Sequence, residues 1–197
     1  AGRAVFVDLE GFSLAEIGED ADTPDWLSRW LDDAESFIGQ PPVRRETKRA
    51  LIEQLWRGWL PAADTIPLEL IPAFHEGYMR TYIERDVRQH AEVEDWQQFG
   101  RFVQLAAAMN GREINYSQLG RDIGITPQTA QRWLSILKAT FQWFDVPAYS
   151  GNAIKRLSEK PKGYFADCGF ACYLQRISSP SALAGHPHLG ALFESAV

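Results

Sequence analysis

The clearest hydrophobic periodicity in the chain lies between residues 96 and 141. Trp96–Met109 carries apolar residues on one face, which predicts an amphipathic helix that Asn110 and Gly111 bring to an end. A short helix is predicted at Ser117–Ile123, where two apolar residues lie four positions apart. Gly124–Thr126, which follows, has the composition of a tight turn.

The pattern then predicts a long helix with one apolar and one polar face. Thr126 suits the N-cap and Pro127 the first helical position. The apolar face recurs with helical spacing at Ala130, Trp133, Leu134, Leu137 and Phe141. The polar face carries Gln128, Gln131, Arg132, Ser135 and Lys138. Two helices joined by a glycine-containing turn, the second with a polar outer face, are typical of a helix-turn-helix.

Strand-like segments follow this helix. Gln142–Tyr149 and Lys162–Ala166 are predicted to be strands on either side of a loop, Ser150–Pro161. The loop and the start of the second strand carry the basic residues Lys155, Arg156, Lys160 and Lys162. A basic hairpin directly after a helix-turn-helix is typical of a wing. Residues 96–168 are therefore predicted to form a winged helix-turn-helix domain.

The first 95 residues predict mainly helices. Gly2–Leu9 has the β-branched and aromatic content of a buried strand, and Ser13 with Glu16 forms the capping-box pattern of a helix start. Further helices are predicted at Trp26–Phe37, Glu46–Trp56 and Ile71–Val87. With a short helical tail after the wing, the chain is expected to be mainly α.

The distribution of charge along the chain is more informative about binding partners than the net charge of −6. Residues 1–99 hold 10 basic and 20 acidic side chains, whereas residues 100–162 hold 9 basic and 4 acidic ones. A basic module joined to an acidic half is the asymmetry expected when one segment binds a polyanion. DNA is therefore a candidate partner, although the overall composition is acidic.

The side chains of the predicted module suit DNA. Gln128, Gln131, Arg132 and Ser135 can reach base edges in the major groove, with Lys138 further along the same face. Lys155, Arg156, Lys160 and Lys162 on the wing suit phosphates. Two plainer interpretations stay open, because the helix residues also fit a solvated face and the basic residues fit an ordinary charged hairpin.

The sequence contains no complete catalytic motif. No Gly-Lys dipeptide occurs, so the chain has no P-loop, and the G-x-S-x-G and H-E-x-x-H patterns are also missing. Cys168 and Cys172 are expected to be reduced, buried thiols, and His186 with His188 a polar loop. No apolar run is long enough to span a membrane and no signal peptide is evident, so a cytoplasmic location is expected.

Several motifs, taken in order, resemble one group of proteins. They are Tyr78–Arg88, Phe99–Leu105, Asn115–Gly120, Gly124–Gln131, Trp133–Leu137, Lys155–Leu157 and Lys160–Gly169. Together they are similar to prokaryotic AAA-type ATPases in which a winged helix leads into a domain of unknown function with a restriction-endonuclease-like core. The likeness covers nearly the whole chain.

The resemblance implies a division of the chain. Residues 1–95 would be the end of an ATPase core, with Gly2–Glu16 as its closing segment, followed by a helical lid-like bundle that includes Trp56–Pro61. Residues 96–168 would be the winged helix, and 169–197 the helical start of a truncated nuclease-like domain. There, Glu194 matches an acidic residue of the opening helix but is expected to be structural, because it lacks metal-binding partners.

The function expected from these observations is DNA binding by a winged-helix module of a prokaryotic AAA-type ATPase. ATP and magnesium are implied for the parent protein, whereas no cofactor, metal site or catalytic residue is expected in this chain, which is expected to be inactive alone. Its expected partners are DNA and the missing ATPase core and C-terminal domain. The alternative is that the winged helix is a docking scaffold, within the protein or for another protein. Its basic face would pack against the acidic half of the chain. It would couple the ATPase lid to the C-terminal domain without binding DNA.

Overall fold

The computed structural model describes residues 9–18, 26–39, 49–88, 93–149, 151 and 159–196. Over these residues the chain is mainly helical and contains one small antiparallel sheet of three strands. The predicted mainly α class is therefore confirmed.

The helices are short in the first part of the chain and longer in the middle. Their bounds are α1 Leu14–Ile17, α2 Trp26–Asp32, α3 Ala34–Gly39, α4 Leu51–Arg57, α5 Pro61–Thr65, α6 Ile71–Thr81, α7 Trp96–Ala108, α8 Tyr116–Ile123, α9 Pro127–Ala139, α10 Cys168–Leu174, α11 Pro180–Ala184 and α12 Leu189–Glu194. A 3-10 turn, Leu68–Leu70, precedes α6, and a π turn, Tyr82–Val87, continues it. The strands are β1 Arg112–Glu113, β2 Trp143–Val146 and β3 Lys162–Phe165.

The predicted capping box at the start of α1 is confirmed. The Ser13 hydroxyl accepts a hydrogen bond from the Glu16 N–H, and the Glu16 carboxylate accepts one from the Ser13 N–H. The single helix predicted over Trp26–Phe37 is wrong, because Asp33 divides it into α2 and α3. The Asp33 carboxylate accepts from the Ser36 N–H at 3.0 Å, so it caps a new helix instead of continuing the old one.

The helix predicted at Ile71–Val87 is present as α6 and its π turn. Two tyrosines on this element reach the end of α9. The Tyr82 hydroxyl lies 2.9 Å from the Thr140 hydroxyl, and the Gln142 side-chain amide donates to the Tyr78 hydroxyl at 2.9 Å. These bonds fix α6 against the corner between α9 and β2. The predicted strand Gly2–Leu9 lies outside the described residues apart from Leu9, as does the predicted start of the helix at Glu46.

The predicted pair of helices around Gly124 is confirmed. Asn115 caps α8, and Gly124 ends it in the left-handed conformation, with φ of 75°. Thr126 caps α9 and Pro127 is its first residue, as predicted. The turn is tight, since a Cβ on Gly120 would lie 2.6 Å from the Ile125 carbonyl oxygen. α7 packs behind both helices, where Trp133 meets the Phe99 ring edge to face at 5.4 Å.

The prediction that Phe141 lies buried on α9 is wrong. The helix ends at Ala139, and Phe141 has a positive φ of 58° and is 66% exposed. The Gln142 N–H donates to the Leu137 carbonyl at 2.8 Å, which is the closing bond of a Schellman motif. This closure turns the chain before Phe141 can join the apolar face.

The sheet places β3 between β1 and β2, with both pairs antiparallel. β1 was not predicted, since two exposed residues carry no strand pattern. The Trp143 ring lies over the backbone of Gly163, where a Cβ would be only 2.1 Å from the ring. Gly163 therefore lets the tryptophan cover the inner face of the sheet, where Phe165 is fully buried.

One core joins the first helices to the last ones. α10 packs against α4, α6, α7 and α12, and its buried residues include Phe170, Ala171 and Leu174. Cys168 and Cys172 are free, buried thiols, as predicted. The N-terminus of α10 approaches the end of α4 so closely that a Cβ on Gly169 would lie 2.4 Å from the Arg57 carbonyl.

Candidate nucleic-acid interface

The outer face of α9 is a polar surface built by the helix period. Because Ala130, Trp133, Leu134 and Leu137 face the core, the intervening residues Gln128, Gln131 and Arg132 are exposed. The side chains of these three make no hydrogen bond or ion pair with any other described residue. They form one continuous group over the first half of the helix.

Ser135 and Lys138, predicted for the same surface, are used within the protein. The Ser135 hydroxyl donates to the Gln131 carbonyl one turn earlier, at 3.0 Å. Lys138 forms an ion pair with Asp145 in β2, and that carboxylate also accepts from the Trp143 indole N–H at 2.9 Å. The Lys138 charge is therefore neutralised at the base of the hairpin.

The predicted wing residues fall into separate groups. Lys155 and Arg156 lie outside the described residues. Lys160 is exposed just before β3. Lys162 lies in β3 itself and its ammonium is 3.1 Å from the Glu194 carboxylate, a hydrogen bond that raises the pKa of Lys162.

Glu194 connects α12 to the sheet. Its carboxylate accepts from the Tyr164 hydroxyl at 2.8 Å as well as from Lys162, and these hydrogen bonds lower the pKa of Glu194. Burial, and then the bond to Glu194, raise the pKa of Tyr164. Asn110 makes a parallel connection, since its amide donates to the Ala191 carbonyl at 2.9 Å and accepts from the Phe165 N–H at 2.8 Å.

One exposed cation near the turn was missed by the sequence reasoning. Arg121 lies in the last turn of α8, and its side chain is exposed. In the predicted helix-turn-helix the first helix would cross the DNA backbone, where a basic residue suits a phosphate. The available signal was its position three residues before Gly124, on the polar side of a short amphipathic helix.

The described part of the chain also contains histidine, cysteine and acidic side chains, the residue types that metal sites use. No group of three or more His, Cys, Asp or Glu side chains there is arranged to hold a metal ion. His186 and His188 lie with ring centroids 5.3 Å apart, and His188 is hydrogen bonded through Nδ1 to Gln175. No described helix has the length and apolar content required to cross a bilayer.

Comparison with known proteins gives a family and two relatives. The family model described as a domain of unknown function, DUF8612, matches residues 48–181, which is more than half of the chain. The chain is 26% identical to the uncharacterised protein Rv2008c of Mycobacterium tuberculosis and to the uncharacterised protein Mb2031c of Mycobacterium bovis. All of this chain is covered in both cases, but only 38% of each relative. No solved structure matches the chain significantly.

Proposed function

We propose that this chain, which belongs to the family of the domain of unknown function DUF8612, is a DNA-binding module of a prokaryotic AAA-type ATPase. The observation that carries the proposal is the exposed polar face of α9, where Gln128, Gln131 and Arg132 have no partner among the described residues. If this face of α9 were buried or ion-paired within the protein, a purely structural role for the helix would have been favoured.

The order of elements supports a winged helix-turn-helix as the DNA-binding unit. α7, β1, α8, α9, β2 and β3 follow one another, and the last two strands pair as a hairpin next to the second helix of the helix-turn-helix. In such a unit the second helix enters the major groove while the hairpin lies along the backbone. The segment 147–161 would then be the wing.

The proposed contacts divide into base readout and phosphate binding. Arg132 can pair bidentately with guanine, and Gln128 and Gln131 can do so with adenine. The positive end of the helix dipole lies at the start of α9 and favours a phosphate, although the Thr129 N–H there is already capped by the Thr126 hydroxyl. Arg121 and Lys160 are the exposed cations placed for further phosphates.

Lys138 and Lys162 are assigned a different role. Each is already paired with a carboxylate, so using it for a phosphate would require breaking an ion pair within the protein. We therefore propose that they hold the hairpin against α9 and α12, and that their removal leaves DNA affinity nearly unchanged.

A second function, docking without DNA, is favoured by a different observation. Tyr78 of α6 and Tyr82 of the π turn fix the corner between α9 and β2, and Glu194 fixes β3 to α12. The proposed helix-turn-helix is therefore connected on both sides to the rest of the chain. Such connections suit a unit that couples a helical lid to a C-terminal domain. The exposure of Gln128 and Arg132 supports DNA binding over docking of this face on the acidic half.

The activity of the whole protein is a wider proposal. Because the chain covers 38% of its relatives, an ATPase core and a C-terminal domain would lie in the remaining length. ATP and magnesium would bind that core, since this chain has no P-loop. The proposed place of action is the cytoplasm. The proposal fails at this level if the full-length protein contains no P-loop and hydrolyses no ATP.

The experiment for DNA binding is fluorescence anisotropy of a labelled duplex, titrated with the chain at several salt concentrations. We expect affinity to fall as salt rises, because phosphate contacts release counterions. Arg132→Ala should weaken binding about tenfold, whereas Lys162→Ala should change it less than about twofold. Arg80→Ala is the matched control, since Arg80 is an exposed arginine of α6 paired with Glu76.

The outcomes separate the two functions. Salt-sensitive binding that Arg132→Ala weakens and Arg80→Ala leaves unchanged supports DNA contact by α9. Absence of binding at the lowest salt refutes DNA binding and leaves docking. Equal losses in all three variants would mean only a general charge effect, and the assignment to α9 would then be wrong.

A further inference from the structure

Three aromatic side chains are exposed along the segment that leaves α9 and forms β2. Phe141 is 66% exposed, Phe144 is 41% exposed and Tyr149 is 98% exposed. These three residues are called the aromatic row below. Single exposed apolar side chains are common, but a group of them on one segment marks an interaction surface.

The fold holds two of these rings in fixed places. Phe141 has a positive φ of 58°, a strained conformation that persists only where the surrounding structure imposes it. The Phe144 ring stacks on Tyr164, with 5.6 Å between the ring centroids and 21° between the ring planes. Tyr164 covers one face of Phe144, and the exposed part of the ring can receive another flat group that continues the stack.

The aromatic row runs back along α9. An ion pair between Lys138 and Asp145 joins the last turn of the helix to the middle of β2, so the strand is directed towards the start of α9. Tyr149, which follows the strand, therefore lies closest to the polar face of α9, and Phe141 lies farthest from it. A nucleic-acid strand that leaves a duplex bound on α9 would meet Tyr149 first.

The charge of the module favours a nucleic acid as the partner of the row. Residues 100–162 hold 9 basic and 4 acidic side chains. Asp145, the acidic residue of β2, is already neutralised within the protein. Lys160, beside Glu159, is exposed just before β3, whose start pairs with the end of β2, so a cation lies at the Tyr149 end of the row. Aromatic rings on a basic module suit a partner that carries both phosphates and flat bases.

We propose that the aromatic row binds the unpaired strand of partly single-stranded DNA, so that the module recognises a junction between duplex and single strand. The bases stack on Phe144 and Tyr149 while α9 holds the duplex. The row contributes affinity without sequence preference, because every base has a flat face. This role rests on the proposed DNA-binding function and specifies the form of DNA that the module binds.

The test is fluorescence anisotropy of the complete chain with three labelled probes at constant salt. The first is a blunt duplex, and the second is the same duplex with an overhang of about eight thymidines. The third has an abasic overhang of equal length, which keeps the phosphates and removes the bases. We expect the thymidine overhang to bind about tenfold more tightly than the abasic one, because stacking requires the bases.

Variants assign this advantage to the row. Tyr149→Ala and Phe144→Leu should each reduce the advantage of the thymidine overhang several-fold, whereas Tyr149→Phe should keep it because the ring remains. Replacing Tyr149 disturbs no core packing, since the side chain is 98% exposed. Phe12→Ala is the matched control, because Phe12 is a 38% exposed phenylalanine that precedes α1, outside the proposed winged helix.

The proposal is overturned if the thymidine and abasic overhangs bind equally, or if Phe12→Ala loses as much affinity as Tyr149→Ala. It is also overturned, in favour of a second copy of this chain as the partner, if sedimentation velocity shows a dimer that Tyr149→Ala converts to a monomer.

The same probes distinguish this failure from failure of the proposed function. Blunt-duplex binding that Arg132→Ala weakens, with no gain from the thymidine overhang, supports α9 as the DNA-binding helix and refutes stacking on the row. A gain from the thymidine overhang that Tyr149→Ala removes, with no binding of the blunt duplex, supports stacking on the row and refutes duplex contact by α9.

Discussion

Replacing Asp167 with alanine tests how the two ends of the fold are held together. The Asp167 carboxylate caps α10 by accepting from the Phe170 N–H at 2.6 Å, and its other oxygen accepts from the Trp59 N–H, also at 2.6 Å. The residue is 8% exposed, so water replaces these bonds poorly. The Asp167 side chain therefore accepts hydrogen bonds from an N–H group at the start of α10 and from a backbone N–H group more than a hundred positions away in the sequence.

The magnitude follows from the two bonds. Loss of an N-cap costs about 1 kcal/mol. Leaving the buried Trp59 N–H without its charged acceptor adds about 2 kcal/mol. We therefore expect Asp167→Ala to lower the free energy of unfolding by about 3 kcal/mol. Asp167→Ser keeps a capping oxygen but is too short for Trp59, so it should lose about 2 kcal/mol.

Urea unfolding followed by tryptophan fluorescence measures both changes. Ser179→Ala is the control, since Ser179 caps α11 through one bond to the Ala182 N–H and connects to no distant segment. It should cost about 1 kcal/mol. If Asp167→Ala costs no more than this control, with unchanged m-values, the bond to Trp59 contributes nothing and the reasoning is refuted.

Three further predictions concern strain, protonation and thiols. Phe141→Gly and Arg176→Gly should each raise the free energy of unfolding by about 0.5–1 kcal/mol in the same urea assay, because relief of left-handed strain exceeds the extra entropy of glycine in the unfolded chain; a loss of stability would contradict this. Burial holds the pKa of His75 below 6.5, so the unfolded chain takes up a proton at this residue before the folded chain does as pH falls. The free energy of unfolding should therefore decrease below about pH 6.5, and it should decrease less steeply in His75→Gln. Equal slopes in the two proteins would contradict this. Burial also raises the pKa of Cys168 and Cys172, so a thiol reagent should modify them only as the chain unfolds, and rapid modification in native buffer would contradict their burial.

The features that sequence predicted well are those with local causes. The caps Ser13 and Thr126, the stop at Gly111 and the turn at Gly124 depend on bonds that span a few residues, and each lies where the pattern placed it. The apolar face of α9 was also correct up to Leu137, because the helix period decides which side chains meet α7.

The features that sequence missed have non-local or strained causes. β1 exists because Arg112 and Glu113 pair with β3, which lies about fifty residues later in the chain. Phe141 continues the apolar period of α9, yet the backbone leaves the helix in a conformation that phenylalanine disfavours. Two of the predicted DNA-binding residues, Lys138 and Lys162, are paired with carboxylates within the protein. The sequence could not show this, because their partners lie on other elements and no spacing rule connects them.

The contact between α4 and α10 has a consequence for the order in which the chain folds. The Trp56 indole N–H donates to the Ile177 carbonyl, which lies 121 positions later, so the packing around α4 is completed only after Ile177 has been synthesised. The helices α7 to α9 can associate early through contacts close in sequence, whereas closing such a long loop is slow. A nascent chain released before Ile177 would expose the apolar side of α4, where Leu55 and Trp56 are normally covered, and would be a substrate for chaperones or proteases.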